Sequence, residues 1–269
     1  MKAQTKTAIP ILSVAGSDCS GGAGLQADLK TFAAHNLFGM SIVLSIVAEN
    51  TARVLGSFDV PSEYIFAQFD AIFEDIPPMA TKIGMLGSAS IIESVAQSLE
   101  RHQAHNIVID PVMFAKNGFP LMPESLREHY MRLILPFADV LTPNIPEASA
   151  LCGFTIANIQ DMKKAAKTLH KAGAKNVLIK GGHKDDSADD VLYDGQEFAI
   201  FSAPKICTNN THGTGCTLSS AIAANLALGK SVQEAISLAK EYVFYAILYS
   251  LKLGKGNGPT NHFYKNYIS

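Results

Sequence analysis

Short apolar runs without polar alternation recur along this chain, and stretches with helical spacing separate them. Residues 10–15, 40–48, 106–110, 138–142 and 176–180 are runs of this kind. Strands that lack alternation are typical of parallel sheets, whose two faces are both covered by helices. The repeated strand–helix order therefore predicts an α/β fold with a mostly parallel central sheet flanked by helices on both faces.

One late segment departs from this pattern. Residues 191–201 carry Asp194 and Gly195 between two apolar flanks, which is the strongest short signal for an antiparallel hairpin. The C-terminal third has helical spacing, and Ser231 with Glu234 predicts a capping box at one helix start. Because no linker or repeat interrupts the 269 residues, one domain over 1–269 is expected.

Composition and charge argue against several classes of function. Charged residues make up 17% of the chain and the formal net charge is −2, without a basic block that could bind nucleic acid. The apolar runs are interrupted before they reach membrane-spanning length, and the first ten residues contain no apolar signal core. The four cysteines are scattered, which favours free thiols. A cytoplasmic protein without membrane attachment is expected.

Two glycine motifs are similar to nucleotide-binding sequences. The Gly-Lys-Ser triplet at 229–231 matches the end of a P-loop, but Ala224 stands where that motif requires glycine. Residues 22–27 fit the dinucleotide-binding fingerprint, and Glu49 stands at the end of the next predicted strand. An NAD-binding oxidoreductase is therefore one alternative, although the glycine-rich turn begins earlier, at Gly16, than the fingerprint needs.

A better candidate for phosphate binding is the loop 212–216, directly before a predicted helix. Glycines allow backbone N–H groups to point at an anion, and a helix N-terminus adds partial positive charge. Gly213, Thr214 and Gly215 are therefore candidates for an anion hole. Cys216 lies in the first helical turn, where the helix dipole can lower the pKa of a thiol, so it could accept a proton from a substrate hydroxyl. A plain turn and a small buried cysteine are the structural alternatives.

Polar residues also follow several central strands. Asn144 and Glu147 could hold a hydrated Mg²⁺, or could simply form the capping box of a helix. Asp110 and Lys180 end two other strands and would converge on the same edge of the sheet. There the charge of Lys180 could neutralise phosphate during transfer. The acidic stretch 184–190 is interpreted as solvated surface.

Seven motifs stand in a characteristic order: AGSD (15–18), GGAG (21–24), QADLKT (26–31), DPVM (110–113), TPN (142–144) with Glu147, KGGH (180–183) and HGTGCT (212–217). Together they resemble the motifs of bacterial hydroxymethylpyrimidine/phosphomethylpyrimidine kinases. The resemblance extends from about Ile11 to about His262. It implies a ribokinase-like fold, ATP as co-substrate, Mg²⁺ as cofactor and a homodimer.

The resemblance further implies a reaction. The γ-phosphoryl group of ATP would move to the hydroxymethyl group of 4-amino-5-hydroxymethyl-2-methylpyrimidine, and a second transfer would phosphorylate the monophosphate, in thiamine synthesis. The glycine loop before Cys216 would form the anion hole, with Cys216 as general base. Asn144, Glu147 and Asp110 would organise Mg²⁺, directly or through water, together with the phosphates. Lys180 would lie beside the transferred group.

The same resemblance implies a pyrimidine pocket lined by Gly16, Ala23, Val47, Glu49, Met85 and Val112. Glu49 can accept a hydrogen bond from the exocyclic amine, but an ionised carboxylate cannot donate to a ring nitrogen. Its role is therefore open between contact with the amine alone and a proton shared with the ring. A pyridoxal or pyridoxine kinase on the same scaffold is an alternative, since that substrate also presents a ring hydroxymethyl group.

Overall fold

The computed structural model describes residues 7–114, 118, 120–181 and 188–267. The strands in these ranges are β1 (Pro10–Gly16), β2 (Phe38–Glu49), β3 (Val54–Asp59), β4 (Thr81–Ile83), β5 (Ile107–Ile109), β6 (Val140–Leu141), β7 (Asn176–Ile179), β8 (Asp190–Tyr193) and β9 (Phe198–Phe201). They form one nine-stranded sheet in the order β3-β2-β1-β4-β5-β6-β7-β8-β9. Neighbours from β2 to β7 pair in parallel. The predicted mostly parallel sheet is confirmed.

Both edges of the sheet are antiparallel. At one edge β8 and β9 form the predicted hairpin, where Asp194 Oδ1 accepts from the backbone N–H groups of Gln196 and Glu197. At the other edge β3 pairs antiparallel with β2, which the sequence did not predict. Five of the six residues of β3 are exposed, so the strand carries no buried periodicity that could have marked it.

Helices cover both faces of the sheet, as expected. They are α1 (Gly24–Ala34), α2 (Ser62–Asp75), α3 (Ala89–Arg101), α4 (Arg127–Ile134), α5 (Ile145–Cys152), α6 (Ile159–Lys171), α7 (Thr214–Ala227) and α8 (Val232–Leu248), with three short 3₁₀ helices. Successive residues of β5 belong to the hydrophobic cores on opposite faces of the sheet. Ile107 and Ile109 pack towards α3 to α6, and Val108 packs towards α7 and α8. This double burial explains the unbroken apolar runs in the strands.

The capping signal at Ser231 correctly predicted a helix start. The Ser231–Glu234 capping box is present at α8, and Gly229, with φ of 78°, follows the end of α7. The triplet 229–231 therefore joins two helices rather than a strand and a helix, which excludes a P-loop there. Helix α7 begins at Thr214, three residues earlier than predicted, because Gly213 adopts the left-handed conformation at its N-cap.

The interpretation of residues 184–190 as solvated surface is wrong for Asp190. This side chain is buried at the start of β8, where its Oδ2 lies 2.6 Å from Lys240 Nζ and its Oδ1 accepts from the backbone of Gly181. Residues 184–187 lie outside the described residues, as do Gly182 and His183 of the KGGH motif. Across the described ranges, none of the helices has the length and apolar character to cross a membrane.

Candidate active site

The N-terminal glycine loop, residues 17–23, is organised around the carboxylate of Asp18. This carboxylate accepts hydrogen bonds from the backbone N–H groups of Ser20 (2.7 Å), Gly22 (3.1 Å) and Ala23 (2.7 Å). A dinucleotide fingerprint would need such N–H groups for a pyrophosphate. The protein's own carboxylate engages them here, so the geometry disfavours the NAD-binding alternative.

The C-terminal glycine loop, residues 212–216, packs directly on the N-terminal one. His212 Nε2 lies 2.8 Å from Asp18 Oδ2. A Cβ atom at Gly213 would collide with the carbonyl group of Gly22, and one at Gly22 would collide with the His212 ring. Only glycine permits this approach of the two backbones.

The segment 258–262 packs against the C-terminal glycine loop and the start of α7. The backbone N–H of His212 donates to Gly258 O at 3.0 Å, and His212 also pairs with Pro259 in an isolated parallel bridge. One turn into α7, Thr217 Oγ1 lies 3.1 Å from His262 Nε2. These contacts fix the N-terminus of α7, where backbone N–H groups and the helix dipole favour an anion.

Asp110 and Lys180 face this helix start from the ends of β5 and β7. Lys180 Nζ donates to Asp110 Oδ1 at 2.7 Å, with both side chains largely buried. A Cβ atom at Gly215 would lie 3.3 Å from Asp110 Oδ2 and 3.4 Å from Lys180 Nζ. The candidate anion hole and the candidate phosphate-neutralising lysine are therefore neighbours.

Asn144 and Glu147 form the capping box of α5. Glu147 N donates to Asn144 Oδ1 at 2.9 Å, and Asn144 N donates to Glu147 Oε2 at 2.8 Å. Burial raises the pKa of Glu147 to about 7; the charge of Lys180 opposes this shift and the charge of Asp110 adds to it. The capping box that was the structural alternative for Asn144 and Glu147 is thus present. It also holds the buried Glu147 carboxylate where the charges of Asp110 and Lys180 act on it.

The donor set here fits a hydrated Mg²⁺. Asp110 and Glu147 supply hard carboxylate oxygens, and the raised pKa of Glu147 marks negative charge that a cation would stabilise. Asn144 Oδ1 already accepts from the backbone of Glu147, so its contribution is to hold that carboxylate. The two acids are the better candidates among the three predicted ligands.

Cys216 differs from its predicted electrostatics. Burial raises the pKa of its thiol to about 11, the charge of Lys82 opposes this, and the charges of Asp28 and Asp110 add to it. A hydrogen bond from the backbone N–H of Gly24 also favours the thiolate. It brings the Cys216 thiol, which belongs to α7, next to the start of α1. The expected dipole effect is outweighed because the thiol is removed from water.

The six residues of the predicted pyrimidine pocket lie at the same edge of the sheet. Gly16 ends β1, and a Cβ there would lie 2.6 Å from Ser45 Oγ and 2.9 Å from Met85 Cε. Val47 and Met85 line a cleft of about 140 Å³. Ala23 caps α1, and Val112 follows β5, donating its backbone N–H to Asp110 O. These contacts group Gly16 and Val47 around Met85, and a pocket lined by all six residues stays a prediction.

Glu49 ends β2 on the same side. Its carboxylate, the carboxylate of Asp18 and the imidazole of His212 have ligand atoms within 4.8 Å of one another. Burial raises the pKa of Glu49 to about 7, the charge of Asp18 raises it further, and His212 lowers it. Near neutral pH this side chain therefore exists in both its donor and its acceptor form.

A family model described as phosphomethylpyrimidine kinase matches residues 18–261. The chain belongs to the phosphomethylpyrimidine kinase family. The hydroxymethylpyrimidine/phosphomethylpyrimidine kinase of Haemophilus influenzae is 45% identical over 258 residues, covering 94% of this chain and 96% of that protein. The resemblance stated from the motifs is confirmed.

Solved structures give the same fold. An ADP complex of Bacillus subtilis pyridoxal kinase is similar with a TM-score of 0.90 and 41% identity, covering 97% of this chain and 99% of that one. A phosphomethylpyrimidine kinase from Clostridium difficile 630 has a TM-score of 0.80 and 43% identity, covering 89% and 99%. The ribokinase-like fold is confirmed.

Four buried residues near this family's motifs had no role in the sequence analysis. Asp18 and His212 lie within motifs, but a pair so distant in sequence has no local signature. Lys82 and Asp28 form an ion pair with side chains that are 0% exposed. The signal available for Lys82 was a single charged residue inside the apolar run 80–86, where an unpaired lysine would be costly.

Proposed function

We propose that this chain is an ATP-dependent kinase that phosphorylates 4-amino-5-hydroxymethyl-2-methylpyrimidine and then its monophosphate, in thiamine synthesis. Family membership supports the reaction class and the pathway. The observation that carries the proposal is the position of Gly215 beside the Asp110–Lys180 ion pair, in the first turn of α7. Phosphoryl transfer depends on positioning and charge stabilisation, and this arrangement can supply both.

The phosphate side of the site is assigned to α7 and the ends of β5 and β7. Backbone N–H groups of Gly213, Thr214 and Gly215 would hold the oxygens of the transferred group, where the helix dipole stabilises negative charge. Lys180 would lie beside that group. The carboxylate of Asp110 accepts a hydrogen bond from the Lys180 ammonium at 2.7 Å and holds it in place.

Cys216 is assigned as the general base. Its hydrogen bond with the backbone of Gly24 brings the thiol to the start of α1, next to the N-terminal glycine loop, which supports this assignment. The thiolate would take the proton of the substrate hydroxyl as the oxygen attacks the γ-phosphorus. The electron pair of the broken P–O bond leaves with ADP. The thiol would then release this proton before the next turnover, which regenerates the base.

Mg²⁺ is assigned to Asp110 and Glu147, directly or through water, with Asn144 holding Glu147. When bound, the ion neutralises phosphate charge. The capping box keeps the Glu147 carboxylate in place before any ligand arrives, because both of its hydrogen bonds are internal to α5 and its N-cap.

The pyrimidine ring is assigned to the space beside Gly16, Ala23, Val47, Glu49, Met85 and Val112. A protonated Glu49 can donate to a ring nitrogen while its other oxygen accepts from the exocyclic amine. The pKa of about 7 makes that form available near neutral pH. An aminopyrimidine offers both partners, which favours it as substrate.

Pyridoxal is a second candidate substrate. The relatives with solved structures include proteins named pyridoxal kinase, at 41% identity for the Bacillus subtilis protein. The ring hydroxymethyl group of pyridoxal could meet Cys216 in the same way. What separates the two substrates here is the ring edge that faces Glu49.

A homodimer is proposed for the assembly, following the family resemblance. Large apolar side chains exposed along the β2–β3 edge and the start of α2 support it: Phe38, Ile46, Leu55, Phe58 and Tyr64. Sedimentation equilibrium of the full chain tests it, and a monomer at micromolar concentration would contradict it.

The deciding experiment measures ADP release from ATP and Mg²⁺ with the hydroxymethylpyrimidine and pyridoxal side by side. Cys216→Ala serves as the matched control for contaminating kinases. We expect turnover that favours the pyrimidine and is lost in the control. A preference for pyridoxal would move the protein to that substrate and leave the phosphate side unchanged. ADP release with neither substrate would contradict the proposed reaction.

A further inference from the structure

An ion pair without solvent contact joins β4 to α1 and is hydrogen-bonded to α7 through Ser220. Lys82 of β4 and Asp28 of α1 both have side chains that are 0% exposed, and Lys82 Nζ lies 2.8 Å from Asp28 Oδ2. Burying two charges costs several kcal/mol per ion, and apolar residues often serve stability as well or better. Stability alone therefore does not account for a lysine in the middle of this sheet.

The pair is fixed from two further directions. Ser13 Oγ of β1 donates to Asp28 Oδ2, and Ser220 Oγ of α7 donates to Asp28 Oδ1 at 2.7 Å. Ser220 follows Cys216 by four positions on α7, so the two side chains share a helix face. The bond from Ser220 thus connects the ion pair to the face that carries the Cys216 thiol.

The ammonium group of Lys82 points along the sheet towards the active-site edge. A Cβ atom at Gly84, directly after β4, would lie 2.9 Å from Lys82 Nζ and 2.9 Å from Ala15 Cβ. Within the described part of the chain this ammonium donates a hydrogen bond to Asp28, which leaves donor capacity in a group that has three protons. Because the side chain has no exposure, it cannot bind a phosphate in the open cleft.

The charged groups around Cys216 form two lysine–aspartate pairs. Lys82 with Asp28 lies on the interior side, and Lys180 with Asp110 lies on the phosphate side. On α7 itself, Thr217 contacts His262, whose pKa burial lowers to about 4, so that this ring is neutral at physiological pH. Lys82 is the cation whose charge opposes the effect of burial on the Cys216 thiol, while Lys180 donates to Asp110 on the phosphate side.

We propose that Lys82, held by Asp28, is a positioning residue that stabilises the thiolate of Cys216, the form that accepts the substrate's hydroxyl proton. The inference rests on the proposed function for the identity of that reaction. The electrostatic relation between Lys82 and Cys216 does not depend on it. Lys82 keeps its own proton throughout, since the charges of Asp28, Cys216 and Asp110 outweigh the effect of burial and raise its pKa above the usual range.

The two partners should have opposite effects on the thiol, which a purely structural role would not produce. Lys82→Met removes the cation and leaves the Asp28 charge, so the Cys216 pKa should rise. Asp28→Asn removes the anion and leaves the cation, so the Cys216 pKa should fall. A mere loss of packing would instead destabilise both variants and shift the thiol in one direction.

The test follows alkylation of Cys216 by iodoacetamide as a function of pH, in a background where Cys19, Cys152 and Cys207 are replaced by alanine. At pH 8 we expect the rate to fall about tenfold in Lys82→Met and to rise several-fold in Asp28→Asn, since one pKa unit is a tenfold change in thiolate. Lys82→Arg should restore the parental profile. Lys175→Met, at the exposed Lys175–Asp139 pair, is the matched control and should change nothing.

Turnover is measured on the same proteins. It should follow the alkylation rate while the KM for ATP stays constant. Equal or same-direction shifts in Lys82→Met and Asp28→Asn would overturn the proposal, even if the kinase assay succeeds. If Lys82→Met does not fold, Asp28→Asn still decides, because an unchanged or slower alkylation rate contradicts the proposal. A kinase assay without activity would overturn the proposed function and leave the alkylation result standing.

Discussion

The carboxylate of Asp18 and the imidazole of His212 meet at 2.8 Å and join two loops that are 194 positions apart in the sequence. Burial opposes the ionisation of Asp18. Hydrogen bonds from His212, Ser20 and Ala23 and the charge of His212 nevertheless hold the pKa of this carboxyl well below its usual range. The conformation of both glycine loops therefore depends on the ionised carboxylate of Asp18.

Replacing Asp18 with Asn should change acid stability. A carboxyl whose folded pKa is depressed contributes stability above its unfolded pKa of about 3.9, and this contribution is lost as the pH falls further. We expect Asp18→Asn to lower the free energy of unfolding by about 1.5–3 kcal/mol at pH 7, with the difference shrinking towards pH 3. Urea unfolding across this range measures it, and a difference independent of pH would contradict the assignment.

Gly213→Ala should damage the site far more than a second glycine with the same backbone conformation. Gly213 and Gly229 have φ of 76° and 78°, but only Gly213 has a neighbour that a Cβ would strike. We expect a loss of about 1–2 kcal/mol for Gly229→Ala from the left-handed conformation alone. Gly213→Ala should lose a further ~1–3 kcal/mol from steric overlap, together with turnover. Equal losses in thermal unfolding would show that the loops can separate freely.

Cys216→Ala should leave ATP affinity largely intact and lower turnover by roughly 10²–10⁴, the usual contribution of a general base. Cys207→Ala is the control, since Cys207 is a free, exposed cysteine. ADP release and nucleotide binding, measured on both variants, separate chemistry from affinity. Unchanged turnover in Cys216→Ala would remove this residue from the mechanism.

The pH dependence of turnover should follow the Cys216 thiol. With its pKa raised to about 11, the thiolate fraction grows about tenfold per pH unit through the neutral range, so kcat should rise from pH 6 to 8. Cys216→Asp should retain some activity and lose most of this rise, because an aspartate is already ionised there. A parallel rise in both proteins would assign the dependence to another group.

Glu49→Gln should change how the pyrimidine KM depends on pH. The wild-type carboxyl has a pKa of about 7, so its donor form is lost as the pH rises through neutrality, and the pyrimidine KM should increase above pH 7. Glutamine keeps a donor and an acceptor at every pH, which should flatten the profile. If both profiles rise together, Glu49 does not donate to the ring.

Local signals predicted a large part of this molecule. The parallel strands were marked by unbroken apolar runs because both of their faces are buried, and Ser231 with Glu234 marked a helix start because a capping box is contained within four residues. The sequence marked the loop 212–216 as the lead-in to a helix for the same reason, since glycines before a helix are a local pattern, and its phosphate binding stays a prediction.

The interactions that the sequence did not predict are long-range or depend on burial. Lys82 and Asp28 are 54 positions apart, so no local pattern pairs them, although Lys82 stands as a single charge within an apolar run. The thiol of Cys216 has a raised pKa because desolvation outweighs the helix dipole, and desolvation is a property of the packed molecule. Strand β3 is exposed at an edge and therefore carries no periodic signal.

The segment 258–262 has a consequence for synthesis on the ribosome. Each of the nine strands in the described ranges has been translated once residue 201 is added, so the sheet can form while the chain is still growing. The contacts that Gly258 and Pro259 make with His212, and that His262 makes with Thr217, come only afterwards. A nascent chain can thus contain all of these strands while the loop 212–216 still lacks the contacts that hold it, and those contacts can form only after residue 262 has left the ribosome.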